Sequence, residues 1–371
     1  MSTATAVLPG SVAREEVRAS PVPAWLHGIR WDGSMLVGSV LIVPAVLVMV
    51  WAGASSDAIN IGTTILVGGP HLFATLVSCY LDPEVRRHHG RVLLWTAGII
   101  PAVVVCWTLF DFQTLLSFFI FMASLHVLQQ NAYLADVYRL RGRAREPVSS
   151  RLLDYAVLLL SFYPIATYRL VGGDFALGSV KILIPPFVRH PATYWAVGIA
   201  FAVAAALWIR KTVREGREGR LNAPKTLLIG VTVVTAFLVP IAASGERLEL
   251  AFQAVNAWHS FQYLAIVWFV QAARKEAGVL RSPFLRSVSG PGRPAFLFYG
   301  LCSVITLSLL GVVVLLTRAD PWGIPFQEYY YMGVLSFLLL HYALDGYFFF
   351  LGSRPGAPAD RIPLAAAVAT G

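Results

Sequence analysis

Apolar residues fall in runs of about 20, the length a helix needs to cross the hydrocarbon core of a bilayer. The runs lie at 34–53, 60–82, 91–110, 112–138, 152–171, 192–210, 226–244, 246–272, 295–317 and 329–351. Short segments carrying Arg, Lys, Pro or Gly separate them. The pattern predicts an all-α, polytopic membrane helix bundle of about ten transmembrane helices. This bundle, residues 34–351, lies between a polar N-terminal segment, 1–33, and a tail rich in Pro, Ala and Gly, 352–371. The first run has no small-residue cleavage pattern after it and reads as a retained signal anchor. The runs at 112–138 and 246–272 are long enough to tilt or to extend past the membrane. Gly68-Gly69-Pro70 predicts a break in the second helix or an ordinary proline kink, because proline removes one hydrogen bond and clashes with the preceding turn.

The basic residues orient this bundle. With the N-terminus inside, 24 of the 29 Lys and Arg lie in cytoplasmic segments; only Arg169, Lys181, Arg189, Arg247 and Arg318 fall on the other side. A bias of that size predicts an N-in, C-in topology, with both terminal segments cytoplasmic. The longest connections are about 171–191, whose Leu183-Ile184-Pro185-Pro186-Phe187 stretch suits the membrane interface, and the basic 211–225 and 273–294.

Composition agrees with the pattern. At 57% hydrophobic and 13% charged residues, with a mean hydropathy of +0.66, the chain is too apolar for a soluble domain. The net charge of +9 is explained by topology, and no aromatic-basic reading surface accompanies it, so nucleic acid is not an expected partner. Cys79, Cys106 and Cys302 lie inside apolar runs without paired spacing and read as reduced packing residues.

What composition does not explain is one histidine in each of four apolar runs. His71, His126, His259 and His341 lie on the second, fourth, eighth and tenth runs, which all cross in the same direction. Their depths, counted from the outer ends of the runs, agree to within roughly 4–5 Å at about 1.5 Å per residue. Each has polar company at helical spacing: Thr75, Ser78 and Asp82 with His71; Gln129, Gln130 and Tyr133 with His126; Asn256, Gln262 and Tyr263 with His259; Asp345 with His341. His27, His88, His89 and His190 fall in predicted loops.

A single intramembrane histidine is accounted for by an interhelical hydrogen bond. Four at one level leave three readings: a shared metal site, a metal-free polar cavity, or haem ligation. Haem takes one or two axial ligands and leaves the other histidines unexplained. Imidazole suits zinc, copper, iron and nickel, and no cysteine accompanies the histidines. Zinc held by four histidines would be closed and structural, a role that a ten-helix bundle does not require. Non-haem Fe(II) with open positions is the preferred cofactor, with dioxygen and a lipid-soluble small molecule as reactants and membrane lipids as surroundings. In this reading Asp345 orients a ligand or tunes a bound water. Gln130, Asn256 and Gln262 position ligands, dioxygen or a substrate head group, and Trp258, Tyr263, Tyr330, Tyr331 and Phe348 wall an apolar channel.

The segments His126-Val-Leu-Gln-Gln130, His259-Ser-Phe-Gln-Tyr263 and His341-Tyr-Ala-Leu-Asp345 carry this chemistry on separate helices. In architecture and ligand type the chain resembles integral-membrane, histidine-ligated iron oxygenases, in particular the bacterial Brp/Blh-type carotene-cleaving dioxygenases. The resemblance implies that His71, His126, His259 and His341 coordinate one iron, in a protein of the bacterial cytoplasmic membrane. Membrane desaturases and hydroxylases, which hold two irons with His-x-x-x-His and His-x-x-His-His clusters, match less well, since only His88 and His89 adjoin here. Two other classes use the same polar cluster: a transporter or channel relaying protons or cations, and a haem- or quinone-binding electron carrier.

Overall fold

The structure, a computed structural model, describes residues 25–142, 146–162, 168, 175–242 and 247–348. Most of the N-terminal segment and all of the tail 352–371 lie outside the described residues. In chain order the helices are α1 (Ile29–Trp51), α2 (56–80), α3 (Pro83–Arg141), α4 (Val148–Ser161), α5 (Pro186–Arg189), α6 (Pro191–Arg217), α7 (Ala223–Ala242), α8 (Arg247–Glu276), α9 (Pro283–Val288), α10 (Arg293–Ala319) and α11 (Phe326–Gly346). A two-residue antiparallel hairpin, β1 (Ala176–Leu177) with β2 (Val180–Lys181), precedes α5. It occupies the connection expected at the membrane interface. Among the described residues the fold is all-α apart from this hairpin.

Six helices among the described residues are long and apolar enough to cross a membrane, against an expectation of about ten. The difference has identifiable physical sources. The runs expected at 91–110 and 112–138 form one hydrogen-bonded stretch, α3, interrupted only at Asp111 (φ −158°, ψ 80°). Trp107 and Phe118 flank that residue with ring centroids 5.4 Å apart, where a straight helix would separate residues 11 apart by roughly 16 Å. The chain therefore doubles back at Asp111, whose carboxylate accepts from the Thr114 N–H at 3.1 Å and caps the second arm. Helices α8 and α11 are less apolar because of the polar residues they carry, and α4 has only 14 residues, most of 163–171 lying outside the described residues.

Helix α8 is the central post, packed against α1, α2, α3 and α7, and α11 packs against α2, α3 and α10. Helix α2 lies against both. No break occurs at Gly68-Gly69-Pro70. The backbone widens instead into a π-helical turn over Thr64–Gly68 and continues. The carbonyl that Pro70 deprives of its partner, that of Leu66, accepts from the Tyr299 hydroxyl of α10 at 2.5 Å. Gly69 lets the two helices touch: a Cβ there would stand 2.1 Å from Thr306 Cγ2 and 2.4 Å from its Oγ1.

A second correction concerns His88 and His89, which lie on the opening turns of α3 and not in a loop. Asp82 accepts from the Glu84 N–H at 3.0 Å and Pro83 occupies the first turn, so the helix starts eight residues before the apolar run. At this end of the bundle Asp82 also pairs with Arg274 of α8 at 2.6 Å.

An ion cluster ties α3, α4, α6 and α7 together. Arg139 binds Asp136, Glu146 (3.0 Å) and Asp154 (2.8 Å), Lys225 binds Glu146 (2.6 Å), and Lys211 binds Asp154 (2.5 Å). Burial pushes the Glu146 carboxyl upward, but the hydrogen bonds and charges of Lys225 and Arg139 outweigh it and hold the group below the usual carboxylate range.

Two outcomes follow. Gly69→Leu forces α2 from α10 and lowers stability by about 1–3 kcal/mol, measured by thermal unfolding in detergent, and Thr306→Gly restores part of the loss. Because Glu146 titrates lower when folded than unfolded, its contribution is complete above its unfolded value and is lost as pH falls through the folded one. Glu146→Gln should cost about 1–3 kcal/mol near neutral pH, and the gap to the parent chain should close as the medium is acidified below the ordinary carboxylate range.

Candidate metal centre

The α2, α3, α8 and α11 backbones bring the four histidines to one place. His71, His126, His259 and His341 are all at most 3% exposed. Ring centroids lie 4.9 Å apart for His71–His259, 4.5 Å for His71–His341, 5.0 Å for His126–His259, 4.9 Å for His126–His341 and 6.3 Å for His71–His126. Most of these pairs meet edge to face, an arrangement in which ring nitrogens can point toward a common centre.

Two donor groups overlap at His126. One nitrogen each from His71, His126 and His259 lie within 4.8 Å of one another, and so do donor atoms of His126, His341 and Asp345. Asp345 Oδ2 stands 3.6 Å from His341 Nε2 and 3.9 Å from His126 Nε2. These separations are too long for hydrogen bonds. They suit atoms arranged around a cation, which sits about 2 Å from each ligand. Asp345, expected to orient a ligand, thus stands among the donors themselves.

Hydrogen bonding outside the cluster fixes its geometry. His341 Nδ1 meets Thr75 Oγ1 at 2.9 Å, and His71 Nδ1 meets Ser260 Oγ at 3.2 Å. Thr75 Oγ1 also meets the Tyr263 hydroxyl at 2.5 Å, and Tyr263 donates to Asp345 Oδ1 at 2.8 Å. The Oδ1 atom is thereby engaged. Oδ2 is left for the centre. Such outer partners set the tautomer and direction of the His71 and His341 rings and the direction of the Asp345 carboxylate.

Beyond these contacts bonding stops: His71 Nε2, His341 Nε2, both nitrogens of His126 and of His259, and Asp345 Oδ2 are buried without a hydrogen-bond partner. A buried polar atom left unmade costs about 1–3 kcal/mol, so the set amounts to on the order of 10 kcal/mol. That rivals the ~5–15 kcal/mol net stability of a typical domain. Four imidazoles and one carboxylate form a nitrogen–oxygen donor set that fits a divalent transition metal. The buried His/Asp groups can hold a metal ion.

The other residues singled out from the sequence occupy different places. Gln130 Nε2 donates to Gln262 Oε1 at 2.7 Å and to the His259 carbonyl at 3.3 Å, and Gln262 Nε2 donates to the Leu36 carbonyl at 2.7 Å. These two amides spend those bonds joining α1, α3 and α8, and they steady the His259 backbone. Asn256 donates to Gln253 at 3.2 Å and lines a cavity of about 690 Å³ whose inner end is formed by His71 and His259. That cavity has mainly apolar walls, among them Leu72, Phe119, Val127 and Leu338, and reaches a polar mouth at Asn60, Glu249 and Gln327 under the hairpin. Tyr330 and Tyr331 line it as expected of a channel wall, but Trp258 packs between α1 and α7 with Val43, Leu47 and Val239, and Tyr263 and Phe348 border a different pocket. Sequence reasoning missed Ser260, and also Tyr342, which stacks on His126 with centroids 4.1 Å apart. Both directly follow a site histidine, a spacing that points away from it on an isolated helix and becomes relevant only across a helix interface.

His126 belongs to both donor groups, so His126→Ala should abolish stoichiometric metal binding in a competition titration against a chromophoric chelator. Thr75→Val, which touches no metal but frees the His341 ring, should weaken binding by roughly 10–100-fold.

Comparison of the chain with family models, with curated proteins and with solved structures gave no match.

Proposed function

We propose that the protein is a membrane-embedded, non-haem iron oxygenase acting on a lipid-soluble substrate, in a ten-helix bundle with both termini cytoplasmic. The observation that carries this reading is the gathering of unpartnered histidine nitrogens and Asp345 Oδ2 beside a large, mainly apolar cavity whose inner end is formed by His71 and His259. The ten crossings come from counting the two arms of α3 separately and adding the shorter or more polar α4, α8 and α11 to the six apolar spans. The charge bias of the connections then supports the orientation.

Iron is favoured over zinc because an oxygen-accessible site beside a substrate-sized cavity has a use for open coordination positions, and a closed structural site has none. Ferrous iron bound here would supply activation of dioxygen. The chain's own residues do the rest. His71, His126, His259 and His341 would bind the ion, and Asp345 would serve as a fifth ligand or hold a proton at Oδ2. Thr75 and Ser260 orient the rings. The walls of the cavity would exclude bulk water and align an apolar molecule with His71 and His259. The resemblance to Brp/Blh-type dioxygenases is consistent with this chemistry, and carotene is not assumed as substrate. Haem fits the cluster poorly: rings 4.5–5.0 Å apart leave no slot for a macrocycle between them.

Anaerobically purified protein should carry near-stoichiometric iron with no Soret band, and should consume dioxygen when presented with suitable lipid-soluble compounds. His259→Ala that retains full iron and activity would overturn the ligand assignment, and absence of any metal after loading with Fe(II), Zn(II), Mn(II) or Cu(II) would overturn the metal centre itself. Since only neutral imidazole ligates, acidification should release the metal.

A further inference from the structure

The large cavity beside the histidines has a mouth of one-sided chemistry. Glu249 is the only carboxylate in its lining, and no Lys or Arg lines it. Among the described residues the Glu249 side chain has no ion pair and only two hydrogen bonds: Oε1 accepts from Asn60 Nδ2 at 3.3 Å, and Oε2 from the Gly178 N–H at 3.2 Å. A carboxylate has about four acceptor positions, so these long bonds leave it underused. Asn60 Oδ1, beside it, is buried without a hydrogen-bond partner. Gln327 spends its amide on the hairpin instead, donating from Nε2 to the Leu177 carbonyl at 3.2 Å and accepting at Oε1 from Ser179 Oγ at 2.8 Å. The mouth thus offers acceptors and no cation.

The same cavity opens sideways. Ile61 of α2, Val314 of α10 and Phe326 of α11 line it and are 57%, 41% and 53% exposed. Apolar side chains exposed on a membrane-spanning bundle face lipid tails, which are as apolar as they are. Ile61 and Val314 stand five residues from Ser56 and Ala319, the hairpin-side ends of their helices, roughly 7–8 Å along the axis. That is close to the boundary between lipid head groups and chains. Inward, Glu249 and His259 are ten residues apart on α8, roughly 15 Å, or about a dozen carbons of extended chain.

We infer that this cavity binds a long-chain amphiphile with a hydrogen-bond-donating, non-anionic head, an alcohol or an amine. The head is held at Glu249 and Asn60, and the chain runs toward His71 and His259. Selection is by sign: an anionic head would meet the Glu249 carboxylate with no cation in the lining to offset the repulsion. The chain passes between α2, α10 and α11 without leaving apolar surroundings. Naming this molecule as the substrate rests on the oxygenase reading; its binding does not.

Equilibrium dialysis of detergent-solubilised full-length protein against radiolabelled tetradecylamine, tetradecanol and tetradecanoate, with protein-free micelles as the blank, compares different heads on one chain. Saturable binding of the amine and the alcohol should be about tenfold or more tighter than that of tetradecanoate. Glu249→Lys should reverse the order of amine and tetradecanoate. Glu249→Gln, the isosteric change, should weaken the amine about tenfold and the alcohol much less. Leu338→Trp, which fills the cavity from α11, should remove saturable binding of every probe in protein with an unchanged unfolding midpoint. Tetradecanoate binding as tightly as either donor-headed probe, affinities that neither Glu249 variant alters, or binding that survives Leu338→Trp would overturn the inference. The readout uses neither metal nor dioxygen. Its failure would leave the oxygenase reading standing, and a protein without iron or dioxygen consumption would leave this site standing.

Discussion

The structure depends on one buried liability: imidazole nitrogens and a carboxylate oxygen gathered at the centre of an apolar bundle without hydrogen-bond partners of their own. An interior of this kind ordinarily leaves few such atoms unpaired. Here the unpaired atoms converge from four helices, and the protein has arranged their outward-facing sides with care. His341 is held by Thr75 and His71 by Ser260, while Tyr263 engages the remote oxygen of Asp345. The division is chemically coherent. One side of each engaged group is fixed, and the other is left for a cation, which would repay the desolvation of one atom per ligand.

Much of the remaining architecture serves that convergence. Helix α8 contributes His259, Ser260, Gln262 and Tyr263 within a single turn and a half, and this explains why it must touch α1, α2, α3 and α7 at once. The Gln130–Gln262 bond, continued to the Leu36 carbonyl, locks the height of α8 against α1 and α3. Gly69 and the π-helical turn before it let α2 approach α10 closely while His71 turns inward. Two cavities approach the cluster: the large one reaches His71 and His259, and a smaller pocket reaches Asp345.

The sequence carried the all-α class and the candidate ligands unusually well, for a physical reason. A polar residue at membrane depth has few explanations, so four histidines at matched depth were legible without any alignment. The Asp345 position was legible too, being four residues from His341 on one helix face. Azimuth was not legible. Equal depth cannot say that Gln130 and Gln262 bond each other, or that Ser260 and Tyr342 reach histidines on neighbouring helices. The crossings count differently by the two criteria: the apolar runs include α8 and α11, which as helices are less apolar because of the polar residues they carry, and hydrogen bonding alone merges two arms at Asp111. His88 and His89 were misplaced for the opposite reason: Asp82-Pro83 is a strong helix start outside the apolar run.

The central claim is that His71, His126, His259, His341 and Asp345 share one metal ion. X-ray absorption at the metal edge of the purified, metal-loaded protein tests it most directly. The account predicts a first shell of nitrogen and oxygen only, with the outer-shell scattering of at least three imidazoles that diminishes in His126→Ala protein. A shell containing sulfur, or one of oxygen alone without imidazole features, would contradict it.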